Sequence, residues 1–138
     1  MKISFDFDGT LSEESIKNTA KVFIIAGHDV WIITARNEGK NHNIDLYKLC
    51  DDIHLEHDKV IFTNGLLKYE KYLKGNFDLH YDDEWEEVLN INRVGGTAIL
   101  VNPDFEDIYM KMQYAESEKR QKLEAMKAAL FAAERKAM

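Results

Sequence analysis

The chain has 138 residues, 45% hydrophobic and 31% charged, with seven glycines and one proline. That balance excludes a disordered, fibrous or two-domain protein, and a chain this long buries roughly 68% of its unfolded surface, enough for a core without disulfides or structural metal. Eighteen basic against 25 acidic residues give a net charge of −7, which opposes non-specific attraction to nucleic acid or anionic lipid and leaves an anionic substrate in need of a local positive charge.

The first apolar run, Ile3–Phe7, reads as a strand. It reaches Asp6 and Asp8 before any long apolar stretch, so neither a signal peptide nor a membrane span is expected, and a soluble cytoplasmic protein is the default. A helix follows, with Ser12 as N-cap, Ile16, Ala20, Phe23 and Ile24 on one face, and Gly27 in the left-handed position that ends it. Val30–Ile33 is the second strand, residues 41–50 a weaker helix, and Val60–Phe62 the third strand. The next helix runs from about Leu66 to Lys74 and stops at Gly75, ahead of a fourth strand over Phe77–Tyr81. A further helix starts at Asp83, where Asp83 and Glu86 have capping-box spacing, and ends before Gly95-Gly96; Thr97–Val101 is the fifth strand. Strands alternating with helices imply right-handed crossovers, hence a doubly wound, Rossmann-like α/β domain with a mostly parallel five-stranded sheet and helices on both faces.

Residues 104–138 differ in composition: seven acids balance seven bases, so the whole −7 lies in residues 1–103. This stretch has no Gly or Pro, seven alanines, and Asp107–Lys111, Glu116–Arg120 and Glu118–Lys122 at helix spacing, so a long helical extension follows the α/β domain. Phe105, Ile108, Tyr109 and Met112 are expected to dock on that domain. The second patch, Leu123, Met126, Leu130 and Ala133, has two readings: packing on its own domain, or joining two subunits into a homo-oligomer.

Ligands of open α/β sheets bind beyond the carboxyl ends of the strands, so the residues that follow each strand carry the functional question. The first strand leads to Asp6 and Asp8, the second to Thr34 and Arg36, the third to Thr63-Asn64-Gly65, and the fourth to Asp82-Asp83. Residues two apart on a strand point the same way, so Asp6 and Asp8 are expected to share one site. Two acids in so apolar a strand need partners, because burying charge without them is costly.

The stretch Ile3-Ser4-Phe5-Asp6-Phe7-Asp8-Gly9-Thr10-Leu11 resembles the first motif of the haloacid dehalogenase-like hydrolases. Thr34 in Trp31-Ile32-Ile33-Thr34-Ala35-Arg36 is similar to the family's second motif, a lysine between the third and fourth strands to its third, and Asp82-Asp83 to its fourth. The resemblance covers residues 1–103 and implies phosphoryl transfer. Asp6 would be the nucleophile that becomes an aspartyl phosphate, and Asp8 the general acid and base. Mg²⁺ would be held by Asp6, the Asp8 backbone carbonyl and Asp82, with Asp83 binding through water or capping the next helix. Thr34 and a lysine would hold the phosphate oxygens. Among Lys59, Lys68, Lys71 and Lys74, Lys68 is chosen because it falls on the catalytic edge in the first turn of its helix. Arg36 is either a substrate-binding or a structural arginine.

The remaining conspicuous residues get plainer roles. His28, His42, His54, His57 and His80 show no metal-ligand spacing, Cys50 reads as a core residue, Trp31 and Trp85 as packing anchors, and Gly95-Gly96 as a turn. Asp8 to Thr34 spans 26 positions and Thr34 to Lys68 spans 34, which leaves no room for a lid domain. An uncovered site admits water, which suits hydrolysis rather than a mutase. The expectation is therefore a Mg²⁺-dependent phosphatase acting on a small phosphomonoester, either a metabolite or a nucleotide. The alternatives are a phosphatase acting on polynucleotide ends, disfavoured by the absence of a basic stripe, and a non-catalytic binding or assembly module.

Overall fold

A computed structural model describes residues 1–102 and 105–137. The chain divides into two compact units, Met1–Pro103 and Asp104–Met138. The first is an α/β unit with five parallel strands, β1 (Lys2–Phe5), β2 (Asp29–Thr34), β3 (Val60–Phe62), β4 (Leu79–Asp82) and β5 (Ala98–Leu100), in the order β3-β2-β1-β4-β5. Four helices alternate with them: α1 (Glu14–Ile25), α2 (Ile44–Asp52), α3 (Tyr69–Lys74) and α4 (Trp85–Arg93).

Strand alternation sorts the side chains into two layers. Ile3, Phe5, Val30 and Ile32 pack with Ala20 of α1 and Leu46 and Cys50 of α2, which makes Cys50 a core residue. Ile33, on the opposite face, packs with Tyr72 of α3, Phe77 and Ile91 of α4. Helices therefore cover both faces, as the uninterrupted apolar runs require of a parallel sheet. Trp31 packs against the second layer, with its ring edge-on to Phe77.

Several element boundaries differ from the sequence reading, each for a local reason. β1 ends at Phe5 rather than Phe7, because Phe7–Leu11 forms a wide turn in which Gly9 takes φ +73°. Ser12 does not cap α1; its hydroxyl accepts the Gly9 N–H at 2.9 Å and closes that turn, so α1 begins at Glu14. α3 starts at Tyr69 rather than Leu66, because the Thr63 hydroxyl donates to the Leu66 carbonyl at 2.6 Å and holds a tight loop, leaving Lys68 just before the helix. α4 starts at Trp85, and the Glu84 N–H is taken by Asp82 Oδ1 at 3.0 Å instead of by Asp83. Gly27 does adopt the left-handed conformation after α1, at φ +91°.

The second unit is one helix, α5 (Phe105–Ala137), with Tyr109, Met112, Leu123, Met126 and Leu130 largely exposed; the Phe105 side chain and the junction at 103–104 lie outside the described residues. Among the described residues, no helix is long and apolar enough to cross a membrane.

Phe5 is fully buried and stacks on Tyr81 at 4.9 Å between ring centroids, so Phe5→Ala is expected to lower unfolding free energy by about 3–5 kcal/mol in urea titrations. Val22→Ala, at a position 61% exposed on α1, should stay within about 0.5 kcal/mol of the parent.

Candidate active site

The sheet order reverses at β1: β2 and β3 lie on one side, and β4 and β5 on the other. The crevice at such a reversal is where open α/β sheets bind ligands. Register sets Phe5 opposite Tyr81, and the Asp6 N–H continues the ladder by donating to the Tyr81 carbonyl at 2.9 Å. The carboxyl ends of β1 and β4 thus deliver Asp6 and Asp82 side by side.

Between them lies Lys68, 2% exposed. Its Nζ donates to Asp6 Oδ1 at 2.7 Å and to Asp82 Oδ2 at 2.6 Å, and Glu87 Oε2 of α4 is 3.8 Å away. Asp82 is held further by His80 Nε2 at 2.8 Å, while His80 Nδ1 meets the Ser4 hydroxyl at 2.7 Å. Ser4 in β1 and Asp6 just past its end, like His80 and Asp82 in β4, are spaced two apart, so alternation builds one buried polar strip on the face opposite Ile3 and Phe5.

Asp83 joins this group from the loop after β4. Oxygens of Asp6, Asp82 and Asp83 lie within 4.8 Å of one another, and the Thr10 hydroxyl is 3.4 Å from both Asp6 Oδ2 and Asp83 Oδ1. A Cβ at Gly9 would come within 2.1 Å of Asp83 Oδ2, and its φ is positive, so only glycine lets the turn pass this close.

Asp8 points elsewhere. The strand has ended before it, so the alternation that would have aimed it alongside Asp6 no longer operates. Its exposed carboxylate takes a two-point bond from Arg36, Nε at 2.9 Å and Nη2 at 2.7 Å, and the other edge of the guanidinium grips Asp45. Arg36 also lies over the Phe7 ring at 4.8 Å, and its backbone N–H donates to the buried Thr34 hydroxyl. Asp6 and Asp8 still line one open cleft of about 390 Å³, along with Gly9, Lys68, Asp83 and Glu87. Asp8's side chain is outside the three-carboxylate group, and Arg36 is spanned by two acids rather than open to a substrate.

The electrostatics follow from burial. Desolvation pushes the Asp6 carboxyl up to about 8 against the pull of Lys68, with Asp82 reinforcing the rise. Asp82 is equally buried, yet the His80 hydrogen bond and the Lys68 charge hold its carboxyl below the usual range. Burial works against the Lys68 ammonium, but Asp6 and Asp82 more than offset it and keep the lysine charged. Burial lowers His80, which makes the neutral ring the native form; Nε2–H then donates to Asp82, and Nδ1 accepts from Ser4. Burial also raises Glu87, whose Oε2 has no hydrogen-bond partner.

Three carboxyl groups, those of Asp6, Asp82 and Glu87, face one ammonium, and Asp83 adds a fourth beside Asp6 and Asp82. Such an excess of hard oxygen donors matches a small divalent cation such as Mg²⁺, which takes a few carboxylates and keeps waters or phosphate oxygens for its other positions. Asp6, Asp82 and Asp83 have the donor chemistry and the mutual spacing to hold one.

Sequence reasoning missed four participants. His80 and Thr10 carried a signal, since each is a polar residue at fixed spacing beside an acid of the site. Glu87 and Asp45 carried none, because their partners, Lys68 and Arg36, are 19 and 9 positions away along irregular chain. His57, one of the histidines without metal-ligand spacing, pairs with Asp51 at 2.7 Å. Neither the protein-family models nor the curated proteins contain a match to this chain.

A raised Asp6 pKa favours the protonated native state, so its stabilising contribution is fully present below about 3.8 and is lost as pH rises toward 8. His80 acts oppositely, losing stability as pH falls below about 6.5. The difference between parent and Asp6→Asn isolates the first effect: in EDTA, the melting temperature of the variant should gain on the parent steadily from pH 5 to pH 8. A difference that does not change with pH would contradict this electrostatic picture.

Proposed function

We propose that this chain is a divalent-metal-dependent phosphatase that hydrolyses small phosphomonoesters through an aspartyl phosphate on Asp6, as the haloacid dehalogenase-like hydrolases do. One observation carries the reading: a carboxylate on the floor of an open cleft, bonded to a buried lysine, with two further carboxylates at metal-ligand spacing.

Asp6 attacks phosphorus through an oxygen that faces the cleft, and the ester P–O bond breaks in line with the new one. Asp8, exposed to solvent, leaves Arg36, takes up a proton from water and gives it to the departing alkoxide in the cleft. Asp45 keeps Arg36 in place when Asp8 departs. Asp8 then takes a proton from the water that attacks the phosphoenzyme, releasing inorganic phosphate and restoring the Asp6 carboxylate. Lys68 and the Thr34 hydroxyl proton are the donors for the phosphate oxygens. Asp6, Asp82 and Asp83, with the Asp8 carbonyl, would hold a Mg²⁺ ion, which would supply the positive charge a dianionic phosphate needs to approach this acidic floor.

The test is turnover of an aryl phosphate with Mg²⁺, expected to vanish in EDTA and to return when Mg²⁺ is restored. Asp6→Asn should lower kcat by about a thousandfold or more, because no covalent intermediate can form. Asp8→Asn should slow alkyl phosphates more than aryl phosphates, the loss reaching roughly 10²–10⁴-fold where the leaving group needs a proton. No turnover of any phosphomonoester with Mg²⁺ or Mn²⁺ would remove this reading.

A further inference from the structure

Tyr109, Met112, Glu116, Lys119, Leu123, Met126, Leu130 and Ala133 follow one another along α5 at alternating steps of four and three residues. This is the 3.5-residue repeat that keeps one seam of a helix facing a partner helix over several turns. The apolar side chains of the seam are exposed: Tyr109 60%, Met112 47%, Leu123 51%, Met126 70% and Leu130 64%. Two charged residues interrupt it at the centre, Glu116 and then Lys119.

We propose that α5 pairs with α5 of a second copy of this chain, antiparallel, about a two-fold axis passing between Glu116 and Lys119. In that register, Glu116 of each helix meets Lys119 of the other, Met112 meets Leu123, and Tyr109 meets Met126. The two polar layers become two ion pairs of opposite sign, and every neighbouring layer is apolar. Flanking positions agree, since Glu106 comes opposite Lys127 of the second copy. A parallel pair would stack Glu116 on Glu116 and Lys119 on Lys119, and would bring Lys122 beside Lys127 on both sides, four like-charge contacts.

The occupant follows from this pattern. A minus-then-plus order along one helix becomes plus-then-minus when the helix is reversed, so the seam is complementary to itself under a two-fold axis, the condition for an isologous dimer. Seven acids and seven bases over residues 104–138 leave no net charge to oppose the approach.

Sedimentation equilibrium of the full chain between 10 and 200 µM should show a monomer–dimer equilibrium. Lys119→Glu should weaken it at least tenfold with helix content by circular dichroism unchanged, and the exchange Glu116→Lys with Lys119→Glu should restore it. Direction is read by disulfide capture. Met112→Cys and Leu123→Cys samples, oxidised separately, should stay uncross-linked, because an antiparallel pair holds like positions about 16 Å apart along the axis, eleven residues at 1.5 Å each. The two samples mixed should give a covalent dimer. A monomer at every concentration, a charge exchange as weak as the single reversal, or cross-linking within either separate sample overturns the proposal.

Discussion

The site is organised around a single buried ammonium. Lys68 reaches its position from the loop ahead of α3, and among the described residues its Nζ is the only ammonium bonded to Asp6, just past β1, and Asp82, at the end of β4. Without it, Asp6 and Asp82 would be two like charges in a nearly dry crevice, an arrangement that a protein relieves by taking up a proton or by unfolding. Lys68 settles the matter unequally. Asp82, which also accepts from His80 and the Glu84 amide, stays ionised, while Asp6 is left as the group that holds a proton when nothing else neutralises it. Of these two acids, the one nearest protonation is also the one that lines the cleft.

The same account explains why a second charged pair stands apart. Asp8 is two residues from Asp6, but the turn centred on Gly9 removes it from the strand and gives it to Arg36. Arg36 in turn is held by Asp45 and by the Phe7 ring, so the guanidinium keeps partners besides Asp8. The chain thus places two carboxylates in different surroundings by ending the strand between them. One is buried beside Lys68; the other is exposed beside Arg36.

The sheet was legible in the sequence because parallel strands buried on both faces appear as unbroken apolar runs, and all five were found within two residues at either end. The ends of the helices were less legible. Ser12, Leu66 and Asp83 all looked like helix starts, yet each residue or its neighbourhood is used in a side-chain-to-backbone bond that shapes a turn, and such bonds compete with caps in any sequence reading. Asp6, Asp82, Asp83 and Lys68 were legible as a set from their places after strands. The depth of Lys68 was not, nor was the burial of Glu87, since burial depends on how α3 and α4 approach each other across the sheet.

His80 shows what a polar residue within an apolar strand can signify. Its ring is fully buried and its Nε2 bonds Asp82 Oδ2, the same oxygen that Lys68 bonds, so its effect is to help fix that carboxylate. The neutral ring can do this only with Nε2 as donor, which requires an acceptor's counterpart at Nδ1; Ser4, opposite on β1, provides the hydroxyl. Strand pairing therefore sets not only where Asp82 stands but also which nitrogen of His80 carries hydrogen. A polar strip of this kind costs hydrophobic contact along two central strands, and such a cost is tolerated where the placement of a charged group matters more than the last increment of stability.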